Sequence, residues 1–166
     1  AQLATEAIPF KCLINPNDDR FMNPTNMIHE IVNYCYETSQ PIPTTPGEIA
    51  RCIFESLAFQ YKDVLGKSRE LSGRSLQKIH IVGGGCQNHL LNQLCADFTE
   101  CTVYAGPIEA TAIGNALVQF IASGDIKDLS EGRKIVDASF GTLTFTPQAV
   151  DYHKAWDLFQ SLINNK

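Results

Sequence analysis

Between residues 78 and 98 the chain reads KIHIVGGGCQNHLLNQLCADF, three glycines in a row between an apolar run and a helical pattern. Without a Cβ, Gly83, Gly84 and Gly85 can adopt positive φ and can let a ligand touch the main chain. A helix starting after them would aim its free N–H groups and positive dipole end back at the turn, which favours phosphate. A tight turn without a ligand could use the same residues, but seldom needs so many glycines. A Walker loop requires Gly-x-x-x-x-Gly-Lys and then Ser or Thr. Counted from Gly83, the last glycine of that pattern is replaced by Asn88, and no lysine follows. A dinucleotide fingerprint requires Gly-x-Gly-x-x-Gly and an acid near the tip of the next strand. Asn88 again replaces the last glycine, and the following strand ends VYAGP. What is left is a glycine turn closed by an amide at the mouth of a helix. Asn88 can act as an N-cap, and its donor and acceptor also suit an adenine edge.

A second stretch, AGPIEATAIGNALVQFIASG (105–124), puts Ala110, Ala112, Gly114 and Ala116 on a helix. Small residues permit close backbone approach, either in ordinary tight packing or along an interdomain hinge where packing must survive sliding. The six cysteines (12, 35, 52, 86, 95 and 101) form no Cys-x-x-Cys and do not interleave with the four histidines at zinc spacing. They read as reduced, mostly buried thiols of a cytoplasmic protein. Cys35 and Cys52 fall on consecutive predicted helices, and an antiparallel pair could bring them within bonding distance.

The elements that must position the glycine turn follow from periodicity and caps. FKCLI (10–14) reads as a short strand before the turn-rich NPNDDRFMNP. Asn23 is expected to cap a helix with Pro24 at its first position and Met27, Ile28, Ile31, Val32 and Cys35 as its stripe. Thr45, Pro46 and Glu48 make a capping box for a long helix reaching about residue 71, with Gly73 as its stop. A strand over 76–82, the glycine turn, a helix from about 89 to 99 and a strand over 101–105 come next. A helix with Pro107 near its start then runs to Ser123, where Gly124 ends it. DLSEGRKIVDAS suggests a short helix and an edge segment. Thr146 and Pro147 are expected to open a last helix with Val150, His153, Trp156, Phe159 and Ile163 facing inward. This order predicts an α/β fold with a parallel sheet, whose ligands bind beyond the carboxyl ends of the strands.

At 166 residues the chain suits one domain with a substantial core. Thirteen Lys and Arg against eighteen Asp and Glu give −5, and the positives are scattered, so nucleic acid and anionic membranes are poor partners. No apolar run nears the roughly 20 residues that span a bilayer. The opening AQLATEAIPFKCLINPNDDR has no basic leader before a long apolar stretch, so no secretory signal is expected.

Taken together, IHIVGGGCQNHLLNQLCADF and VYAGPIEATAIGNALVQ resemble the C-terminal part of the FGGY carbohydrate kinases, specifically their L-rhamnulose-phosphorylating members, within the actin-like, Hsp70-like ATPase superfamily. LINPNDDRFMNPTNM and TTPGEIARCIFESLAFQYKDVL resemble the same family, and only the tail after about residue 137 is less distinctive. The resemblance implies a partial ribonuclease H-like (actin-like ATPase) domain, a mostly parallel sheet flanked by helices. Residues 1–166 would be a C-terminal nucleotide-binding fragment without its N-terminal sugar-binding domain. It implies Gly83, Gly84 and Gly85 facing the phosphates and ribose of ATP, with Gly84 in backbone contact, and Asn88 beside the adenine. Glu109 to Gly114 would match the hinge-proximal helix, and Glu48 and Glu55 the acidic positions of a family signature in which Cys52 replaces a smaller residue. Mg²⁺ would be held mainly through ATP and the absent domain, L-rhamnulose would bind through that domain, and no catalytic residue would lie in this chain. A stand-alone nucleotide- or dinucleotide-binding module and a non-catalytic assembly domain are the competing readings.

Overall fold

The computed structural model describes residues 2–164. In chain order the elements are α1 (Gln2–Glu6), α2 (Met27–Glu37), α3 (Pro46–Ser72), β1 (Lys78–Ile81), α4 (His89–Thr99), β2 (Thr102–Ala105), α5 (Ala110–Ser123), α6 (Leu129–Ser139), β3 (Leu143–Phe145) and α7 (His153–Asn164). The chain is α/β and mostly helical, around a three-stranded sheet of order β1-β2-β3. β1 and β2 pair in parallel, Ile79 opposite Val103, as the βαβ reading requires, but β3 runs antiparallel to β2. The sheet is therefore mixed rather than mostly parallel.

α3 forms as its letters predict. Thr45 accepts from the Glu48 N–H while the Glu48 carboxylate reaches back to the N-cap backbone, and Gly73 ends the helix at φ 63°. Glu48 also takes Thr44 N–H at 2.7 Å and the Lys11 ammonium at 2.6 Å. The Lys11 ammonium first, then the Thr44 N–H, hold its carboxyl down to about 2. Stability from this depressed pKa is complete above the ordinary value of 4.5 and is lost as pH falls towards about 2. Thermal melts across that window are expected to decline less steeply for Glu48→Gln than for the parent chain; parallel declines would remove Glu48 as a source of acid sensitivity.

The expected strand at 10–14 does not form: Phe10 lies in a turn at φ 55°, Lys11 in a bend, and 12–14 pair with no strand among the described residues. Its donors go to side chains instead: Phe10 N–H to Glu55 Oε2 at 2.9 Å, Leu13 N–H to Gln40 Oε1 at 2.8 Å and Ile14 N–H to Ser56 Oγ at 2.9 Å. The cap of α2 is Asn26, not Asn23, because Asn26 Oδ1 receives the His29 N–H at 3.1 Å. Pro24 consequently precedes the helix. Ile31 and Cys35 face inward as expected, whereas Met27 and Ile28 are exposed and Tyr34 is buried. α5 begins at Ala110, leaving Pro107 in the preceding loop. α7 begins at His153 rather than Pro147, since Asp97 accepts the Gln148 N–H at 2.8 Å and Gln93 donates to the Thr146 carbonyl at 2.9 Å. Those bonds hold 146–148 out of a helix. Phe159 is buried and Trp156 packs against the core as expected, but Val150 and His153 are exposed.

The main core lies between α3, α4 and α7, centred on Phe59 and Phe98, whose rings stack at 4.3 Å. A smaller cluster of Cys95, Ala96 and Val103 seats α4 on the sheet. This packing fixes the start of α4 against the end of β1, where the glycine turn lies.

Candidate functional site

The three glycines have different jobs. Gly83 sits at φ 78°, ψ −167°, a conformation reserved for glycine, and donates its N–H to the Pro107 carbonyl at 3.1 Å. Gly84 and Gly85 do not have positive φ. Both are exposed, and a Cβ on either would meet nothing within 4 Å. The fold itself thus leaves room for side chains at 84 and 85. Their backbone N–H groups make no hydrogen bond among the described residues. A 3-10 turn over Gly84–Gln87 is closed by Cys86 N–H to the Gly83 carbonyl and Asn88 N–H to the Gly85 carbonyl.

Asn88 is the cap of α4, its Oδ1 accepting the Leu91 N–H at 3.2 Å. That engages its oxygen and leaves its Nδ2 without a partner among the described residues. Beside the turn is a hollow of about 190 Å³ lined by Cys86, Gln87, His89, Ala105, Ile108 and Leu143, among others. None of its lining residues is a carboxylate, so this hollow offers no ligand of the kind Mg²⁺ prefers. A larger hollow of about 920 Å³ lies on the sheet face that bears Lys78, His80 and Tyr104, but it contains none of residues 83–88. The smaller one therefore matters more for a ligand on the turn.

Glu109 is exposed and makes no side-chain cap to α5. Gly114 is exposed too, and no residue of α5 is buried. A Cβ on Gly114 would meet nothing within 4 Å; the neighbouring α6 meets this helix where Leu117 faces Gly132.

Asn92, fully buried on α4, escaped the sequence reading. Its Nδ2 donates to the Cys86 carbonyl at 2.8 Å, tying helix to turn. An amide one residue after Leu91 and two before Leu94, within the apolar face, was the available signal. All six cysteines are free and buried. The sulfur atoms of Cys35 and Cys52 do approach each other, joined by that of Cys12, all within 4.8 Å. Hydrogen bonding from Cys12 and then Cys52 pulls the Cys35 thiol down, while the same contacts push Cys52 up. Cys12 comes from the 10–14 segment, and no sequence spacing announces it.

The FGGY family of carbohydrate kinases, C-terminal domain, matches residues 1–123. The chain belongs to this family. Every glycine-turn residue of this FGGY chain, with Asn88, Glu109 and Gly114, falls inside the matched stretch. It is 51% identical over 137 residues to the rhamnulokinase of Enterobacter sp. (strain 638), covering 82% of this chain and 28% of that protein. It is 46% identical over 165 residues to the rhamnulokinase of Bacillus subtilis (strain 168), covering 98% of this chain and 34% of the relative. The FGGY chain thus spans about a third of the length of these relatives. Its fold is shared with the crystal structure of gluconate kinase from Lactobacillus acidophilus, at TM-score 0.55 and 20% identity over 74% of this chain and 26% of that one.

Proposed function

We propose that this chain is the ATP-binding part of a rhamnulose kinase, the C-terminal domain of a longer polypeptide whose upstream domain binds the sugar. One observation carries the reading: Gly84 and Gly85 lack side chains where the fold has room for them and present free N–H groups to solvent. Glycine at such positions has a purpose when something must come within contact distance of the main chain. The start of α4 adds its dipole and first-turn N–H groups to that approach. In this reading the Gly84 and Gly85 peptides meet the phosphates and ribose, and Gly83 supplies the bend that aims them. The spare Nδ2 of Asn88 is available to an adenine edge. β1, α4, β2 and α5 then form the later half of a ribonuclease H-like core, and the α5 face around Glu109 and Gly114 lies along the interdomain hinge.

The complete kinase would transfer the γ-phosphoryl of ATP to the 1-hydroxyl of L-rhamnulose. Such transfer depends on positioning and on charge stabilisation. Mg²⁺, when bound, would neutralise the phosphate oxygens; with no carboxylate lining the hollow at the turn, its protein ligands belong upstream. The chain's own contribution is to hold adenosine and phosphates while domain closure brings the sugar onto them. Such an enzyme would work in the cytoplasm. Titration calorimetry on the 166-residue chain is expected to give ATP binding with a Kd of about a millimolar and preference over NAD and S-adenosylmethionine. No phosphorylation of L-rhamnulose should accompany it. A preference for NAD or S-adenosylmethionine would favour a dinucleotide or methyl-donor module. Oligomers that bind no nucleotide would favour an assembly role, and turnover of the sugar by this chain would contradict the division of labour.

A further inference from the structure

Asn92 has no place in the reading above, yet its surroundings are unusual. It is 0% exposed on the apolar face of α4. Its Nδ2 donates to the Cys86 carbonyl at 2.8 Å, and its Oδ1 has no hydrogen-bond partner among the described residues. A carbonyl only accepts, so the amide must turn its nitrogen to Cys86 and leave its oxygen over. A buried polar atom without a partner destabilises a fold, and an apolar side chain of similar size would avoid it. The amide satisfies the Cys86 carbonyl at the cost of its own oxygen, so its net contribution to stability is small.

The turn that the amide holds is otherwise fixed by backbone bonds alone: its own 3-10 pair and the Gly83 N–H to the Pro107 carbonyl. Its two central residues, Gly84 and Gly85, are exposed and have no side chains to pack. Without a Cβ, glycine peptides held only by backbone bonds reorient more readily than those of other residues. The Cys86 side chain is buried, and the carbonyl of the same residue is tethered by Asn92 to the rigid part of α4. We propose that Asn92 is a positioning residue for the nucleotide: its bond to the Cys86 carbonyl sets the Gly84 and Gly85 peptides in the orientation that receives the ligand. This rests on the nucleotide-binding reading of the turn. It adds a residue that touches no ligand and acts through the backbone of another.

The test is Asn92→Leu in the complete kinase. The KM for ATP is expected to rise about tenfold, with kcat and the sugar KM within about twofold of the parent. The melting temperature should change by only a few degrees, because the orphaned oxygen is gone but the Cys86 carbonyl loses its donor, and amide hydrogen exchange in 83–88 should accelerate. A folded variant with unchanged ATP KM and unchanged exchange would overturn the inference. So would equal damage to kcat and both KM values, the pattern of a general structural role. If Asn92→Leu does not fold, Asn92→Ala is read the same way. Gly84→Val, measured alongside, separates the two claims. Should it leave the ATP KM alone, the nucleotide reading fails and this inference with it. Should it raise the ATP KM while Asn92→Leu does not, only the positioning role falls.

Discussion

Gly84→Val in the complete kinase is expected to lower kcat/KM for ATP about 100-fold while leaving the melting temperature where it was. The two halves of this result come from one geometry. A Cβ at Gly84 meets nothing within 4 Å, and the residue does not have a positive φ, so the folded chain accommodates a side chain there. The same open space is where a phosphate or ribose would approach the backbone. Branched methyl groups would push the nucleotide off by about an ångström or more, and displacements of that size cost catalysis about two orders of magnitude. Gly83→Val should behave differently. At φ 78° and ψ −167° any side chain is strained, at a cost of about 1–3 kcal/mol. That variant should melt at a lower temperature before any question of ATP arises. Comparing the two by steady-state kinetics and thermal melts distinguishes a glycine kept for a ligand from one kept for a bend. An unchanged ATP KM in Gly84→Val would count against the contact.

Arg51→Met is expected to cost about 3–5 kcal/mol of folding stability at neutral pH, the usual penalty for stripping the partner from a buried charge. Arg51 Nε lies 2.7 Å from Glu55 Oε1, and the Glu55 side chain is 1% exposed. The other carboxylate oxygen accepts the Phe10 N–H at 2.9 Å. Burial pushes the Glu55 pKa above its ordinary value, and Arg51 opposes that push. Without the guanidinium the folded-state pKa moves further up. Above 4.5 both folded chains hold a proton on Glu55 that the unfolded chain releases, and the variant holds it to a higher pH than the parent. The loss should therefore grow as pH rises through this window and shrink under acid. Urea unfolding of both proteins at acidic and neutral pH measures it; a small loss, equal at the two, would sink the account. Arg51 also donates to the Ala4 carbonyl at 3.1 Å, so the variant should loosen α1 as well.

What the letters disclosed was whatever a few neighbouring residues decide. The capping box at Thr45 and Glu48, the stop at Gly73, and the path from β1 through the glycine turn to α4 and β2 are set by contacts within a few positions. The misreadings at 10–14 and 146–148 involve partners far along the chain. FKCLI has the composition of a strand, but composition does not choose a neighbour to pair with. Its donors found Gln40, Glu55 and Ser56. TFTPQAV carries a plausible helix start, overruled by Asp97 and Gln93 on another helix. Two asparagines competed to cap α2, and spacing could not choose between them. At the site, the glycines marked the place but not their separate roles, because φ is not written in the sequence. Asn92 was hidden among apolar neighbours, and its task is visible only once Cys86 is seen to turn its carbonyl inward.

The way residues 10–14 are fastened also constrains how the protein can be made. Their backbone partners lie 45, 27 and 42 positions further along the chain. During synthesis this apolar segment emerges before its partners, Gln40 and then the first turns of α3. In that interval a short, apolar stretch is exposed, the kind of species that aggregates or recruits chaperones. Early assembly here waits on α3, and the speed at which that helix closes over the segment governs the yield of native chain.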